Sequence, residues 1–239
     1  MNKFKDFILV SKISFKETIK KINKSYMVFI FILINTIFEN NQFNFGVVGS
    51  TIGGIVNYFI GVIISCFVVQ SLVSVVKYGN TGRASLENSV GNFFAPMIET
   101  MFWVYLLEMF TNLLLVNFPV RARVLVVIII QILISSIYEQ IYLNGRSGIN
   151  AIIESVNFVK NNPLHYGLYS LIFIGVEFYL SIRFSIGQPM GIDKIIACLI
   201  IGAIHTGFML FRGILFKHLN QHSYRQRKFM GWCLSLIHI

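Results

Sequence analysis

Five ionisable side chains lie inside apolar stretches of this sequence, where they could take part in chemistry. Three of them are near the middle of a stretch and two are nearer an end. A charge inside a bilayer is costly, so such residues face a bundle interior, pair, or line a polar cavity. They therefore indicate a polar pathway or binding site, and the simpler alternative is hydrogen bonding that only joins helices. The central three are Glu108, Glu177 and His205, and the outer two are Glu99 and Glu139.

A different interpretation applies to two charged residues near the ends of their apolar stretches. Glu139 and Arg212 are close enough to the ends of their apolar stretches to extend toward water. A long side chain can keep its apolar stem in the membrane while its charged group reaches the interface. The alternative for both charged groups is therefore a position at the cytoplasmic interface of the membrane.

The composition predicts the elements that must position these residues. The chain has 239 residues, of which 55% are hydrophobic and 13% are charged. Soluble globular domains carry about 25% charged residues, so this chain has too few to cover a soluble fold. We therefore predict an all-α, polytopic membrane helix bundle. A single domain is expected over residues 1–228, with an unassigned tail over 229–239.

Six apolar stretches are predicted to cross the membrane. The first is short, because a transmembrane helix needs about 20 residues. The second has four glycines in its first half, from Gly49 to Gly61. Small residues let helices approach closely in lipid, so we expect this helix at the centre of the bundle. The stretches are Tyr26–Phe38, Val47–Val76, Phe94–Val116, Val124–Leu143, Leu164–Phe184 and Ile195–Phe216.

Three amphipathic segments predict helices that lie on the membrane surface. The clearest is Gly148–Asn162, where Glu154 and Lys160 fall opposite an apolar face. Similar spacing begins at Phe15 and at Leu86. We therefore predict three interfacial amphipathic helices in tandem repeats, each followed by a span. The apolar face of the clearest segment consists of Ile149, Ile152, Val156 and Val159.

The basic residues predict the orientation and the partners. The net charge is +10, and 15 of the 20 lysines and arginines fall on the side of the termini. Cytoplasmic connections carry an excess of lysine and arginine. We therefore predict a multi-pass protein of the cell membrane, with both termini and all three surface helices in the cytoplasm. Its predicted partners are anionic lipid headgroups and other membrane proteins. Nucleic acid is not expected, because no folded polar scaffold presents the basic residues.

The cysteines indicate neither a metal site nor a disulfide framework. Cys66, Cys198 and Cys233 are scattered along the chain. Metal sites and disulfide frameworks have characteristic spacings, which this pattern lacks. We therefore predict no metal ion and no cofactor.

Two segments resemble a family of bacterial membrane proteins. Residues 148–162, GINAIIESVNFVKNN, precede a span, and the last span leads into residues 215–220, LFKHLN, and a short basic tail. In both features the chain resembles proteins related to the membrane domain of glycerophosphoryl diester phosphodiesterase. The resemblance covers most of the chain and implies a polytopic protein of about six spans. The phosphodiesterase domain that such membrane domains sometimes precede is not expected in this sequence.

A second resemblance concerns catalysis. CAAX-processing and bacteriocin-processing intramembrane proteases carry Glu-Glu-x-x-x-Arg, Phe-x-x-x-His and His-x-x-x-Asn on successive spans. This chain is similar in spacing but departs in chemistry, since four positions differ. Activating a water molecule requires a carboxylate base, held by a metal or by histidines. A protease of this type would use Glu139, Glu177 and His205. The matching positions are Glu139, Gln140, Asn144, Phe173, Glu177, His205 and Met209, of which Gln140, Asn144, Glu177 and Met209 depart.

Three classes of function follow, and distances between residues distinguish them. The leading hypothesis is an integral membrane protein without a catalytic site that acts as a regulatory, scaffolding or transport-associated component. A transporter would require Glu108, Glu177 and His205 to converge in one cavity. A degenerate or active CAAX-type protease would require Glu139, Glu177 and His205 to lie within a few ångströms of one another.

Overall fold

The described part of the chain is built from helices. The computed structural model describes residues 3–40, 46–184, 192–222 and 224–229. Nine principal helices and no strand occur within these ranges, which confirms the predicted all-α bundle. The helices are α1 (Lys3–Ile22), α2 (Tyr26–Asn40), α3 (Gly46–Val73), α4 (Ser89–Leu115), α5 (Val120–Ile134), α6 (Ile137–Asn144), α7 (Gly148–Asn161), α8 (Leu168–Phe184) and α9 (Ile192–Gln221).

Four described stretches are long and apolar enough to cross a membrane, and α1 with α2 would add a fifth as one bent pair. The sequence predicted about six spans. The other two predicted spans correspond to α2 and α8, of which 15 and 17 residues are described. Both helices end next to residues outside the described ranges, and the π-helical turn Pro163–Gly167 precedes α8 directly. The four stretches are Gly53–Tyr78, Arg83–Leu115, Val120–Asn144 and Ile195–Gln221.

Helix α3 lies at the centre of the bundle, as predicted, but Gly54 and Gly61 do not contribute to its packing. It packs against α2 and α4. Most of its buried residues are in the second half, where Cys66, Val69 and Leu72 are almost fully enclosed. A methyl group added at Gly54 or Gly61 would meet nothing within 4 Å. In lipid, close packing of side chains takes the place of the hydrophobic effect, and here β-branched valines provide it.

Helix α1 packs on α9 and turns sharply into α2. The angle between α1 and α2 is 88°, so α1 lies across the direction of the following helix. Its inner face buries Asp6, Val10, Ser14 and Thr18. Its predicted apolar face points outward, with Phe15 59% exposed. Even so, the ring of Phe15 contacts that of Phe211 on α9, with centroids 6.5 Å apart.

The second predicted surface helix is not a separate element. Residues Arg83–Asn88 form a 3-10 turn that continues into α4 at Ser89. The break in the chain comes earlier, at Gly79 and Gly82, whose φ angles are +69° and +81°. Glycine adopts such left-handed conformations without steric cost, so the chain reverses there. The helical conformation continues from Asn88 to Ser89 without a break. Of the three predicted surface helices, only α1 and α7 are therefore separate helices.

Helices α5, α6 and α7 form a folded-back unit. A two-residue turn at Ser135 and Ser136 separates α5 from α6, and the chain reverses at Gly145, whose φ angle is +63°. Ser155 faces inward because its hydroxyl accepts hydrogen bonds from Ser136 and donates one to the Leu133 carbonyl. These bonds shift the buried stripe of α7 away from the predicted one. The buried residues are Gly148, Ala151, Ser155, Phe158 and Val159.

The predicted faces of α7 are therefore only partly observed. Glu154 and Lys160 are exposed, as predicted. Val159 is buried, and Ile152 is half-buried. Ile149, however, is 46% exposed, because the small residues beside it make the contact with the bundle.

Both ends of the described chain meet at one end of the bundle. Arg227, in a short helix over 224–229, donates a hydrogen bond of 3.0 Å to Asp6 in α1. Lys24 donates to the carbonyl of Gly79 after α3. The predicted connection Gly187–Gly191, residues 230–239 of the predicted tail, and Cys233 lie outside the described residues.

Candidate functional site

A cavity of about 420 Å³ lies between the apolar helices, and we call it the central cavity. Helices α2 to α6, α8 and α9 contribute to its wall. Most of the wall is aliphatic or aromatic, but polar groups project from several sides. Its polar lining residues are Asn35, Ser65, Gln131, Ser135, Tyr138, Ser170, Glu177, His205 and Arg212.

Glu177 and His205 contact each other in the wall of the central cavity. The Oε1 atom of Glu177 bonds to Nε2 of His205. Helical spacing explains the placement, because Phe173 and Glu177 are one turn apart on α8, and His205 and Met209 are one turn apart on α9. The side chains of Glu177 and His205 remain 42% and 28% exposed. The pair is therefore accessible from the cavity rather than sealed between helices.

Arg212 and Glu139 form a second ion pair beside the cavity, with Nη2 and Oε2 3.2 Å apart. Arg212 also donates to the Tyr166 hydroxyl at 3.2 Å and to the Ser135 carbonyl. Glu139 is 2% exposed and Arg212 is 7% exposed. The expectation that both side chains reach water is wrong, because each neutralises the other inside the bundle. Such a pair is stable only when hydrogen bonds satisfy the remaining atoms, as Tyr166 and Ser135 do here.

Glu108 lies apart from the other predicted site residues. It is exposed in a cleft of about 230 Å³ between α4 and α5, which we call the α4–α5 cleft. The cleft and the central cavity share the side chains of Gln131 and Ile134. The convergence that a transporter requires is therefore incomplete, with two residues in one cavity and Glu108 in its neighbour. The cleft is lined by Glu108, Thr111, Asn112, Val127, Ile130, Gln131 and Ile134.

Glu99, on α4, lies beside the start of α7, where its surroundings explain its presence. Its carboxyl group lies where a Cβ atom on Gly148 would be, at the first residue of α7. The neighbouring Thr100 hydroxyl accepts a hydrogen bond of 2.8 Å from the Gly148 amide. A carboxylate at a helix N-terminus is favourable because of the helix dipole. This placement accounts for Glu99 without any ligand.

The protease-like positions divide into two groups. Phe173, Glu177, His205 and Met209 line the central cavity, whereas Glu139 does not. The remaining two positions of the first motif form a chain of amides. Gln140 donates to the Glu154 carbonyl, and Asn144 donates to Gln140 and accepts from Asn220. Among the described residues, no three His, Cys, Asp or Glu side chains could hold a metal ion.

A buried charged cluster at the end of the bundle was not predicted from the sequence. Asp6 is fully buried, and its carboxylate bonds to His165 at 3.1 Å and to Arg227 at 3.0 Å. His165 lies in the π-helical turn before α8. Asp6 is the one acidic residue among the first 16, which are rich in lysine. The isolated negative charge of Asp6 was the sequence feature that could have pointed to this cluster. The local sequence pattern, however, does not identify the partners of Asp6.

Comparisons of the chain with family models, curated proteins and solved structures give no match. Neither resemblance suggested by the sequence is tested by them, and both stay predictions. The function must therefore be argued from the geometry and chemistry of the site.

Proposed function

We propose that this protein binds a small amphipathic molecule in the central cavity and acts as a transport-associated or regulatory membrane component without catalysis. The observation that carries the proposal is the Glu177–His205 pair, which is open to a largely apolar cavity. Ionisable residues at such a position are energetically costly in a membrane. They occur at pathways or binding sites more often than at positions without a function.

The size and lining of the cavity support a ligand of this kind. Its volume of about 420 Å³ is within the range of small-molecule sites, roughly 300–1,000 Å³. Apolar walls favour an apolar body, and a few polar groups fix its orientation. The Glu177 carboxylate accepts hydrogen bonds, and the Arg212 guanidinium is already bonded to Glu139. The favoured ligand therefore carries a hydrogen-bond-donating head group.

The position of Glu139 supports the non-catalytic interpretation. A general base must reach the water molecule that it activates. Glu139 is absent from the cavity lining, and its carboxylate bonds to Arg212. An ion-paired and buried carboxylate is a poor base for a water molecule in the cavity.

Mass spectrometry of the protein purified in mild detergent tests this proposal. The wild-type protein should retain a small amphipathic molecule. Glu177→Gln and His205→Gln should lose at least about tenfold in occupancy, the effect of one charge-assisted hydrogen bond. Glu154→Gln is the matched control, because Glu154 is exposed on α7. An empty wild-type protein, or equal retention in all variants, would contradict ligand binding in the cavity.

A second candidate is a relative of the CAAX-type proteases. It is favoured by the shared position of Phe173, Glu177, His205 and Met209 around one cavity. Profiling of membrane-protein fragments in cells with the wild-type protein, Glu139→Ala or His205→Ala tests it. We expect identical fragments in all three. A specific product that disappears with both substitutions would establish proteolysis.

We further propose that both termini are cytoplasmic and that the membrane is the cell membrane. The Arg227–Asp6 and Lys24–Gly79 contacts support a common side for these segments, and this side carries most of the basic residues. Exposed Phe15 and Ile19 between lysines support attachment of α1 to anionic lipid. Reporter fusions at both termini and between α8 and α9 test the orientation. A cytoplasmic signal from the fusion between α8 and α9 would contradict it.

A further inference from the structure

We propose that the α4–α5 cleft is an outer binding site and lateral entrance, through which a cationic amphiphile passes from the bilayer into the central cavity. This inference rests on the proposed binding function and names the ligand class and its route. It uses Glu108, which the binding function alone leaves unexplained.

The two cavities are adjacent. Gln131 and Ile134 on α5 line both of them, so these two side chains form the partition. Gln131 is exposed, and Ile134 is half-buried. A partition of two side chains can open by changes of side-chain rotamer, which need no movement of a helix.

The helices on either side of the cleft leave it open. Helices α4 and α5 are consecutive, but both pack against α7 rather than closely against each other. The buried residues of α4, which are Ser89, Met97 and Thr100, are all in its first half, and α5 has no buried residue. Direct contacts between α4 and α5 are therefore few, although residues 116–119 connect their ends. The cleft lies between residues 108–112 of α4 and residues 127–134 of α5.

The polar groups of the cleft favour a cation. Glu108, Thr111 and Asn112 share one face of α4, because residues three and four apart are neighbours on a helix. A carboxyl group exposed to lipid is costly, and a cationic head group would offset that cost. Among the residues that the structure describes, no lysine or arginine lines the cleft. Inside, the charge of Arg212 is balanced by Glu139, so the ligand would move from Glu108 toward Glu177.

Photolabelling in liposomes tests the ligand class. The probe is a hexadecylamine that carries a diazirine, and the matching hexadecanol and palmitate probes are the head-group controls. The full-length protein is irradiated, and labelled peptides are identified by mass spectrometry. The amine should label peptides of both the cleft and the central cavity. Glu108→Gln should reduce labelling of the cleft about tenfold, as expected for one charge-assisted hydrogen bond. Equal labelling by all three probes would overturn the cationic class.

Obstruction of the cleft tests the route. Ile130→Trp and Thr111→Trp place bulk in the cleft from α5 and from α4. Ile129→Trp is the matched control, since Ile129 is 48% exposed and does not line the cleft. Each variant is first shown to be monodisperse by gel filtration. The rate at which the amine probe labels the cavity should fall in the two cleft variants and not in the control.

The outcomes separate the entrance from the binding function. If the amine labels the wild-type cavity and Glu177→Gln abolishes that labelling, the binding function is supported. If the cleft variants are then labelled as fast as Ile129→Trp, the entrance is overturned and the binding function stands. If no probe labels the wild-type cavity, both are overturned.

Discussion

Arg212 on α9 donates a hydrogen bond of 3.2 Å to Glu139 on α6, and both side chains are buried. The two residues are 73 positions apart in the chain. Removal of one partner from a buried ion pair leaves an uncompensated charge, whereas removal of both does not.

We therefore expect Arg212→Met alone to destabilise the protein by about 3–5 kcal/mol, because it leaves the Glu139 charge without its partner. The double variant with Glu139→Met should recover most of that loss. Unfolding midpoints in detergent measure the effect. Arg225→Met is the control, since Arg225 is exposed. Additive losses in the double variant would show that the pair does not act as a unit.

Asp6→Ala should also be strongly destabilising, by about 3–5 kcal/mol, because a fully buried carboxylate joins two basic side chains. His165 and Arg227 would both lose their acceptor. The same unfolding assay applies, with the exposed Glu154→Ala as control. An unchanged midpoint for Asp6→Ala would mean that the cluster contributes nothing.

Two glycines of α9 give a matched pair. A methyl group on Gly213 would collide with the Tyr142 hydroxyl and lie 3.1 Å from a methyl carbon of Val76, whereas Gly207 has nothing within 4 Å. Gly213→Ala should cost about 1–3 kcal/mol through overpacking, and Gly207→Ala should be close to neutral. Adding Tyr142→Phe should restore part of the Gly213→Ala loss. Equal stability of the two alanine variants would contradict the close contact.

Acid should loosen the contact between α1 and α9. Glu17 bonds to Lys21 at 2.7 Å and to His218 at 2.8 Å. Burial raises the pKa of Glu17, but the hydrogen bonds and charges of Lys21 and His218 outweigh it, so the pKa lies below its ordinary value of 4.5. A lowered carboxyl pKa stabilises the fold above the unfolded-state pKa, and that stabilisation is lost as pH falls through the folded-state pKa.

Hydrogen exchange of α1 peptides measures this effect. At neutral pH, Glu17→Gln should exchange faster than the wild type. The difference between them should vanish as pH falls well below 4.5, the ordinary pKa of Glu17. A difference that persists in acid would mean that ionised Glu17 is not its cause.

Cysteine scanning of α7 should follow the observed stripe. Positions 154 and 157 should react readily with water-soluble reagents, because both side chains are exposed. Positions 155 and 158 should react poorly, because Ser155 and Phe158 are buried. Uniform labelling across the helix would show that this segment is not held against the bundle.

Much of the fold could be predicted because the membrane simplifies local patterns. Long apolar runs specify helices, so α3, α4 and α9 lie close to their predicted spans. The turn at Gly79 and Gly82 also has a local cause, since glycine tolerates the positive φ angles found there. The boundary between a surface helix and a span was harder. Hydrophobic periodicity does not distinguish a separate amphipathic helix from the first turns of a longer one. The second predicted surface helix is an example, because it continues into α4 at Ser89.

The sequence identified the charged residues of the candidate site, but it did not identify the pairs that these residues form. Glu177 and His205 were identified because charges in apolar runs are rare. That Glu177 meets His205 while Glu139 meets Arg212 depends on which helices are neighbours. Hydropathy contains no information about that choice. Asp6 shows the limit most clearly, because its partner Arg227 is 221 positions away.

That separation has a consequence for biosynthesis. Asp6 is synthesised 221 residues before Arg227. At about 5–20 residues per second, α1 is complete roughly 10–45 seconds before its last partner leaves the ribosome. During this interval Asp6 lacks Arg227, its partner in the finished bundle. The contact between these two residues can therefore form only after all nine principal helices have been synthesised.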